Sequence, residues 1–335
     1  MKLISVLFAA LLLINSGTEA AGSAPGKVTG GSVYAMPQWF KSSFLDFQEE
    51  TEVARERGKH VMVFMHLDEC PYCERMLKEN FISGEMQEFM EKNFDVIAVN
   101  VRGDLEVSWI DGNTYTEREL KEHLQTIATP TIVFLDLDGN KVLQLHGYRD
   151  QRSFRYALEY VQSKRYRNQL FADYLAEQNK PTVYAFRSHP QIAVTTYFKG
   201  YDKPLMVLFE DKHCAQCDRF HEKTLNHPDV LDALESFLFI RLDAASNSLL
   251  IDVDGQTSTP ANWMKELGLT YRPSLVIFNQ GKEMFRADGQ IYHHHLTEGL
   301  RYVSEGYMQY ATLREFKDAY RAGRLKEGFD VNFAE

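Results

Sequence analysis

The sequence predicts an α/β fold that is present twice. Three observations carry that expectation. A Cys-x-x-Cys pair stands where an apolar run passes into a helical pattern, at DECPYCERM (68–76). The same juncture recurs at DKHCAQCDR (211–219), and these two pairs contain every cysteine of the chain. The elements around them repeat in one order at an offset that stays between 142 and 144 residues. KHVMVFMHLDECPYCER lies over KPLMVLFEDKHCAQCDR, FDVIAVNV over FLFIRLDA, Asp111-Gly112 over Asp254-Gly255, ATPTIVFLD over YRPSLVIFN, and LEYV over LRYV. So small a drift across the whole comparison marks two copies of one domain.

The chain begins with Met1-Lys2, an almost wholly apolar run from Leu3 to Ile14, and small residues at Thr18-Glu19-Ala20. That order is a secretory signal, with cleavage expected after Ala20. The apolar run is too short for the ~20 residues of a membrane span, so no stable membrane insertion is expected. A periplasmic or secreted location follows. Residues 21–35, rich in Gly, Ser and Ala, suggest a flexible leader. Of the 335 residues, 44% are hydrophobic and 25% charged, ordinary for a globular protein. The formal net charge of −10 speaks against nucleic acid as a partner, because phosphate binding requires clustered Lys and Arg.

The first copy is expected over 36–178. Phe44 to Arg57 has a helical pattern stopped by Gly58, and His60–His66 (HVMVFMH) is suited to a buried strand. ERMLKENF and GEMQEFMEKNF suggest two helical segments, and Phe94–Val101 a second buried strand. Asp111-Gly112 signals a hairpin. Thr116 opens a helix to about Ile127 with a capping pattern, and Thr131–Leu137 is a third strand. Asp138-Gly139 turns the chain into Val142–His146. A long helical region then runs from Phe154 to about Glu177. Pro181 and Pro190 break the pattern in a linker over 179–195. The second copy is expected over 196–335, ending in a helix from Thr312 to Arg324.

Each cysteine pair closes a ring of only four residues, which removes little entropy from the unfolded chain and so stabilises little. Reactivity is the better account. A cysteine at a helix N-terminus lies beside unpaired N–H groups and the positive end of the macrodipole, and its thiolate is the reactive species. Cys70 and Cys214 are the expected attacking sulfurs, Cys73 and Cys217 the resolving ones.

From Cys70 to Pro130 is 60 positions, and from Cys214 to Pro273 is 59. Strand, Cys-x-x-Cys, helix, strand, helix and then a proline opening a strand resembles the thioredoxin superfamily over most of the chain. The resemblance implies tandem domains, each a central mixed sheet flanked by helices. It implies cis bonds before Pro130 and Pro273, with Thr129 and Arg272 beside a bound peptide. CPYC is the dipeptide setting of glutaredoxins and points to redox poise rather than to glutathione; Tyr72 is counted among the substrate-contacting residues. The first copy is most similar to SoxW-like, thioredoxin-related exported proteins. The implied activity is thiol–disulfide exchange on protein disulfide or dithiol substrates, with reduction as its direction and a membrane thiol donor of electrons. No cofactor and no metal is called for. Oxidation or isomerisation of substrates is the alternative direction.

Two departures stand out. Thioredoxins carry Trp just before the first cysteine and a buried Asp six residues before it. Here those places hold Glu69 and Phe64, and His213 and Leu208. The usual proton acceptor is missing, which leaves Asp68, Glu69 or solvent. His213 and Arg272 place positive charge near Cys214 unless Arg272 pairs with an acid. A metallochaperone or binding protein is the competing class, with His213, His221 and His227 beside the second pair as conceivable ligands. His293-His294-His295 suggests a solvated run. The WIDGN stretch (109–113) and its counterpart LLIDVDGQ (249–256) are either a substrate-selecting rim or plain hairpins. Tyr156, Tyr160, Tyr166 and Tyr174 recur at helical spacing as packing residues.

Overall fold

The computed structural model describes residues 24–82, 84–178, 184–214, 216–289 and 291–332. The expected signal at 1–20, Pro181 of the linker and Ala215 of the second pair lie outside the described residues. In chain order the first half comprises β1 (Val28–Thr29), α1 (Phe47–Glu56), β2 (His60–His66), α2 (Pro71–Met76), α3 (Gly84–Asn93) and β3 (Phe94–Asn100). It continues with β4 (Glu106–Ser108), β5 (Thr114–Thr116), α4 (Glu117–His123), β6 (Thr131–Leu135), β7 (Lys141–His146), α5 (Gln151–Gln162) and α6 (Phe171–Gln178).

Its sheet has the order β3-β2-β6-β7, with β2 parallel to β3 and the other pairs antiparallel. Side chains alternate along β2, so Met62 and Phe64 face a core that contains Cys70 and Cys73. Val61, Val63 and Met65 face a second core on the other side, with Phe47 and Trp109. A strand covered on both faces requires an unbroken apolar run, which is why HVMVFMH lacks the alternation of a half-exposed strand. α1 begins at its cap Asp46, whose carboxylate accepts from the N–H groups of Gln48 and Glu49. α4 begins in a capping box between Thr116 and Glu119.

Several boundaries differ from expectation for identifiable reasons. The region from Phe154 to Glu177 is two helices, because Lys164 adopts a left-handed conformation at φ 57° between them. Gln125, at φ 50°, likewise follows the end of α4 early. The WIDGN hairpin is not at the cysteine rim: Trp109 is buried against Phe47 on the opposite face of the sheet. The stretch expected as a flexible leader is fastened at several points. β1 pairs in parallel with β15 (Val331–Asn332) at the far end of the chain, Ser32 N donates to Glu69 O at 3.0 Å, and Tyr34 packs against the first core.

The second half comprises β8 (Ile192–Ala193), β9 (Leu205–Glu210), α7 (Cys217–Phe220), α8 (Pro228–Leu234), β10 (Leu238–Asp243), β11 (Leu250–Ile251) and β12 (Thr257–Ser258). After these come α9 (Pro260–Glu266), β13 (Ser274–Asn279), β14 (Lys282–Asp288), α10 (His293–Ser304) and α11 (Leu313–Lys326). The sheet order β14-β13-β9-β10-β8 repeats the first sheet and adds β8, a piece of the expected linker, as a parallel edge strand. Both halves are therefore thioredoxin-like sheets with flanking helices. α11 extends to Lys326 from a Thr312–Glu315 capping box.

The outer core of the second half is built on Trp263, which is 3% exposed and packs against Phe198, Phe209 and Phe278 at 5.4–5.8 Å between ring centroids. Trp263→Ala is expected to cost about 3–5 kcal/mol by urea denaturation. A loss under ~1 kcal/mol would show that these rings do not hold that face together.

The halves meet through aromatic and cationic side chains. Arg149 lies over the Tyr271 ring at 5.0 Å, Phe171 stacks on Tyr271 at 6.0 Å, and Tyr72 stacks on Tyr292 at 4.5 Å. Among the described residues, no helix is long and apolar enough to cross a membrane.

Candidate active site

In the first half, β2 delivers the chain to a turn in which Glu69 has φ 58°. Cys70 follows as the N-cap of α2, with Pro71 in the first turn, where its missing N–H costs nothing. The Cys70 Sγ accepts from Cys73 N at 3.1 Å, so one of the helix's orphan donors points at the sulfur. Cys70 and Cys73 form a disulfide with 5.2 Å between Cα atoms. Cys73 is fully buried and Cys70 is 5% exposed. The Thr129–Pro130 bond is cis. Thr129 Oγ1 lies 3.5 Å and Thr129 O 3.8 Å from the Cys70 Sγ, so the fold brings together residues 59 positions apart.

Tyr72 does not point to open solvent. It stacks on Tyr292 of the second half, which puts the CPYC spacer in the seam between the halves. Asp68 and Glu69 are exposed, and Asn100 Nδ2 donates to the Asp68 carboxylate at 3.1 Å.

The second pair is built differently. Cys214 and Cys217 form a disulfide with 5.5 Å between Cα atoms, but α7 starts at Cys217 with Gln216 as its cap. Cys214 therefore precedes the helix in a turn, with Cys217 N donating to Cys214 O at 3.4 Å. The expectation that both attacking cysteines head a helix holds for Cys70 and not for Cys214. The Arg272–Pro273 bond is cis. Arg272 is 8% exposed, its Nε lies 2.9 Å from Asp211 Oδ2, and its Nη2 lies 3.8 Å from Asp173 of α6. It is thus neutralised by an acid beside the dithiol. Cys214 opens onto a cleft of about 320 Å³ shared with Arg272, Tyr271 and, from the first half, Arg152 and Tyr156.

The histidines considered as metal ligands do not gather. His221 pairs with Glu210, and His227 stacks on His293 at 3.7 Å. Among the described residues, no three His, Cys, Asp or Glu side chains come together in a way that could hold a metal ion. His293-His294-His295 is not a solvated run. It opens α10, is partly covered, and burial holds His294 and His295 well below the usual imidazole range.

Residues 47–162 and 193–304, more than half of the chain, each match the thioredoxin-like domain family. The chain belongs to that family. The thiol:disulfide interchange protein DsbD of Tatumella citrea is 26% identical over 151 residues, covering 44% of this chain and 24% of that protein. The protein of the same name from Colwellia psychrerythraea is 25% identical over 101 residues, covering 30% of this chain and 15% of that protein. The matched region therefore spans a quarter or less of these relatives. Among solved structures, a thioredoxin from Thermus thermophilus is 28% identical at a TM-score of 0.28, covering 35% of this chain and 83% of that one.

Each thioredoxin-like half also ends its central strand in a titratable group that pattern reading passed over. The last residue of the central strand, His66 in β2 and Glu210 in β9, shares register with the apolar residues on the cysteine face. In each case a tyrosine from the preceding segment binds it. Tyr34 OH donates to Leu67 O at 2.5 Å and lies 3.1 Å from His66 Nδ1. Tyr184 OH donates to Glu210 Oε2 at 3.2 Å. Burial pushes His66 down to about 4, with Asp68 opposing. Burial and then Glu210 push the Tyr184 phenol well above its usual value. The available signal was a lone Glu closing an otherwise apolar strand, LMVLFE.

Proposed function

We propose that this chain is an exported thiol–disulfide oxidoreductase with two dithiol sites, working as a reductase of protein disulfides. The carrying observation is the first site. A cysteine caps a helix with a backbone N–H aimed at its sulfur, and that sulfur is 3.5 Å from the hydroxyl of the residue before a cis proline. Such a sulfur is stabilised as thiolate and can attack a partner disulfide. Cys73, one turn on, then resolves the mixed disulfide. The electrons reside on the sulfurs, so the exchange requires no cofactor. The relatives named as thiol:disulfide interchange proteins support this reading of the chemistry. In an oxidising compartment a reductase requires a membrane thiol donor to restore it. Thr129, Pro130 and Tyr72 at the first site, with Arg272 and Pro273 at the second, are the residues proposed to meet the substrate.

Insulin reduction with dithiothreitol tests the reading on the wild type, Cys70→Ser and Cys214→Ser. Each substitution is expected to slow turnover, and a wild type no faster than buffer would end the proposal. Direction is read from the reduction potential of each pair. A value near about −270 mV fits a reductase, whereas one near about −120 mV would make the protein an oxidant of its partners.

A further inference from the structure

We infer that Glu210 and His221 form a proton store for Cys217, so that the second dithiol opens beside its own proton donor while the first does not. The inference rests on thiol–disulfide exchange at Cys214–Cys217. Cys217, Glu210 and His221 are each 0–1% exposed. A carboxylate so placed is costly unless its oxygens are bonded, and both are. His221 Nε2 lies 2.8 Å from Oε1, and the Tyr184 hydroxyl donates to Oε2. The link to sulfur runs through Tyr184, which bonds Glu210 and makes one buried cluster with Cys214 and Cys217. His221 also follows Cys217 by four residues, which puts both on one side of the same helical segment.

The surroundings leave the pair to itself. Tyr184 comes from the segment before β8, and its hydroxyl also accepts from Arg187 N at 3.3 Å. His189, from the same segment, and Arg241 of β10 face the network from further out. Neighbouring Asp211 is held by Arg272. The equivalent positions of the first half differ. Its register position holds His66, kept neutral by burial, and the residue four past Cys73 is the apolar Leu77.

The step balances as follows. A thiolate of an external dithiol attacks the Cys214 Sγ, forming a mixed disulfide and breaking the bond to Cys217, which leaves with the electron pair. The proton held between His221 and Glu210 moves to that sulfur. The partner's second thiolate then displaces Cys214, and the partner departs as a disulfide. Cys214 and the Glu210–His221 pair each regain a proton from water, into which the partner released two. Two electrons and two protons have passed from partner to site.

The test uses full-length protein carrying Cys70→Ser and Cys73→Ser, so that only the second pair reacts. Its rate of reduction by excess dithiothreitol is followed from pH 5.5 to 8.5, with and without Glu210→Gln, which preserves shape but cannot share the proton. Without the carboxylate, an imidazole carries a proton only in acid. The unsubstituted pair should therefore be faster by about tenfold or more at pH 8, and by less than about twofold at pH 5.5. A ratio constant with pH, whether near one or large, would overturn the inference, since a merely structural Glu210 has that effect. Should Glu210→Gln not fold, the His221 ring nitrogens are followed by NMR in the parent protein. They must change protonation between the oxidised and reduced forms, and no change overturns the inference equally. A parent that dithiothreitol does not reduce would remove the proposed function itself, a result distinct from a flat ratio.

Discussion

Cys73→Ala protein is expected to accumulate a covalent adduct with its substrate through Cys70. The capping N–H that stabilises the Cys70 sulfur remains when Cys73 loses its thiol, because the donor is the backbone of residue 73. Attack on a substrate disulfide therefore proceeds, and the resolving step does not. With Cys214→Ser and Cys217→Ser in the background, turnover at the first site should fall to the level of buffer. The adduct is read as a mass increase on a non-reducing gel that dithiothreitol reverses. Cys70→Ala should give no adduct. Trapping through Cys73 instead would reverse the assigned order of attack.

Glu298→Gln is expected to give a large loss of stability. Glu298 of α10 is 3% exposed and holds Arg321 through two hydrogen bonds at 2.6 and 2.9 Å, with Lys317 at 3.6 Å and His295 at 3.5 Å. Burial alone would raise its carboxyl. Lys317, then His295 and Arg321, outweigh burial and hold it far below the usual carboxylate range. Lys317 is itself pushed down to about 8, chiefly by burial. Removing the anion strands covered cations between α10 and α11, at a cost of about 3 kcal/mol near pH 7. The pH dependence follows from the direction of the shift. The folded-state value lies below the unfolded one, so the stabilisation is present above about 4.5 and is lost as pH falls through the acid range. Urea midpoints of wild type and Glu298→Gln should differ most near neutrality and converge on acidification. A gap that stays constant down to pH 3 would show that the carboxylate charge is not what holds these helices.

Much of the fold was legible because its signals are local. A strand covered on both faces needs an unbroken apolar run, and HVMVFMH and LMVLFE supplied one each. The capping patterns at Thr116 and Thr312 mark helix starts by donors within one turn. Lys164 and Gln125 ended helices that pattern alone extended, since neither residue type announces a positive φ. Arg272 shows the reverse limit. Its place beside a cysteine followed from spacing to the proline, but its neutralisation by Asp211 and Asp173 depends on acids from two separate elements.

The sequence by itself determined that one domain occurs twice, where its central strands run, and that all four sulfurs stand at strand-to-helix junctions. These properties are carried by composition and by spacing within a few residues. Only the tertiary structure decided that Cys214 precedes its helix, that Tyr72 lies in the seam between the halves, and that Glu210 joins His221 to the tyrosine, Tyr184, that packs with Cys217. Those meetings join side chains as far apart as Tyr72 and Tyr292. They are set by which sheet face each residue occupies and by what packs over it, and no local pattern encodes that.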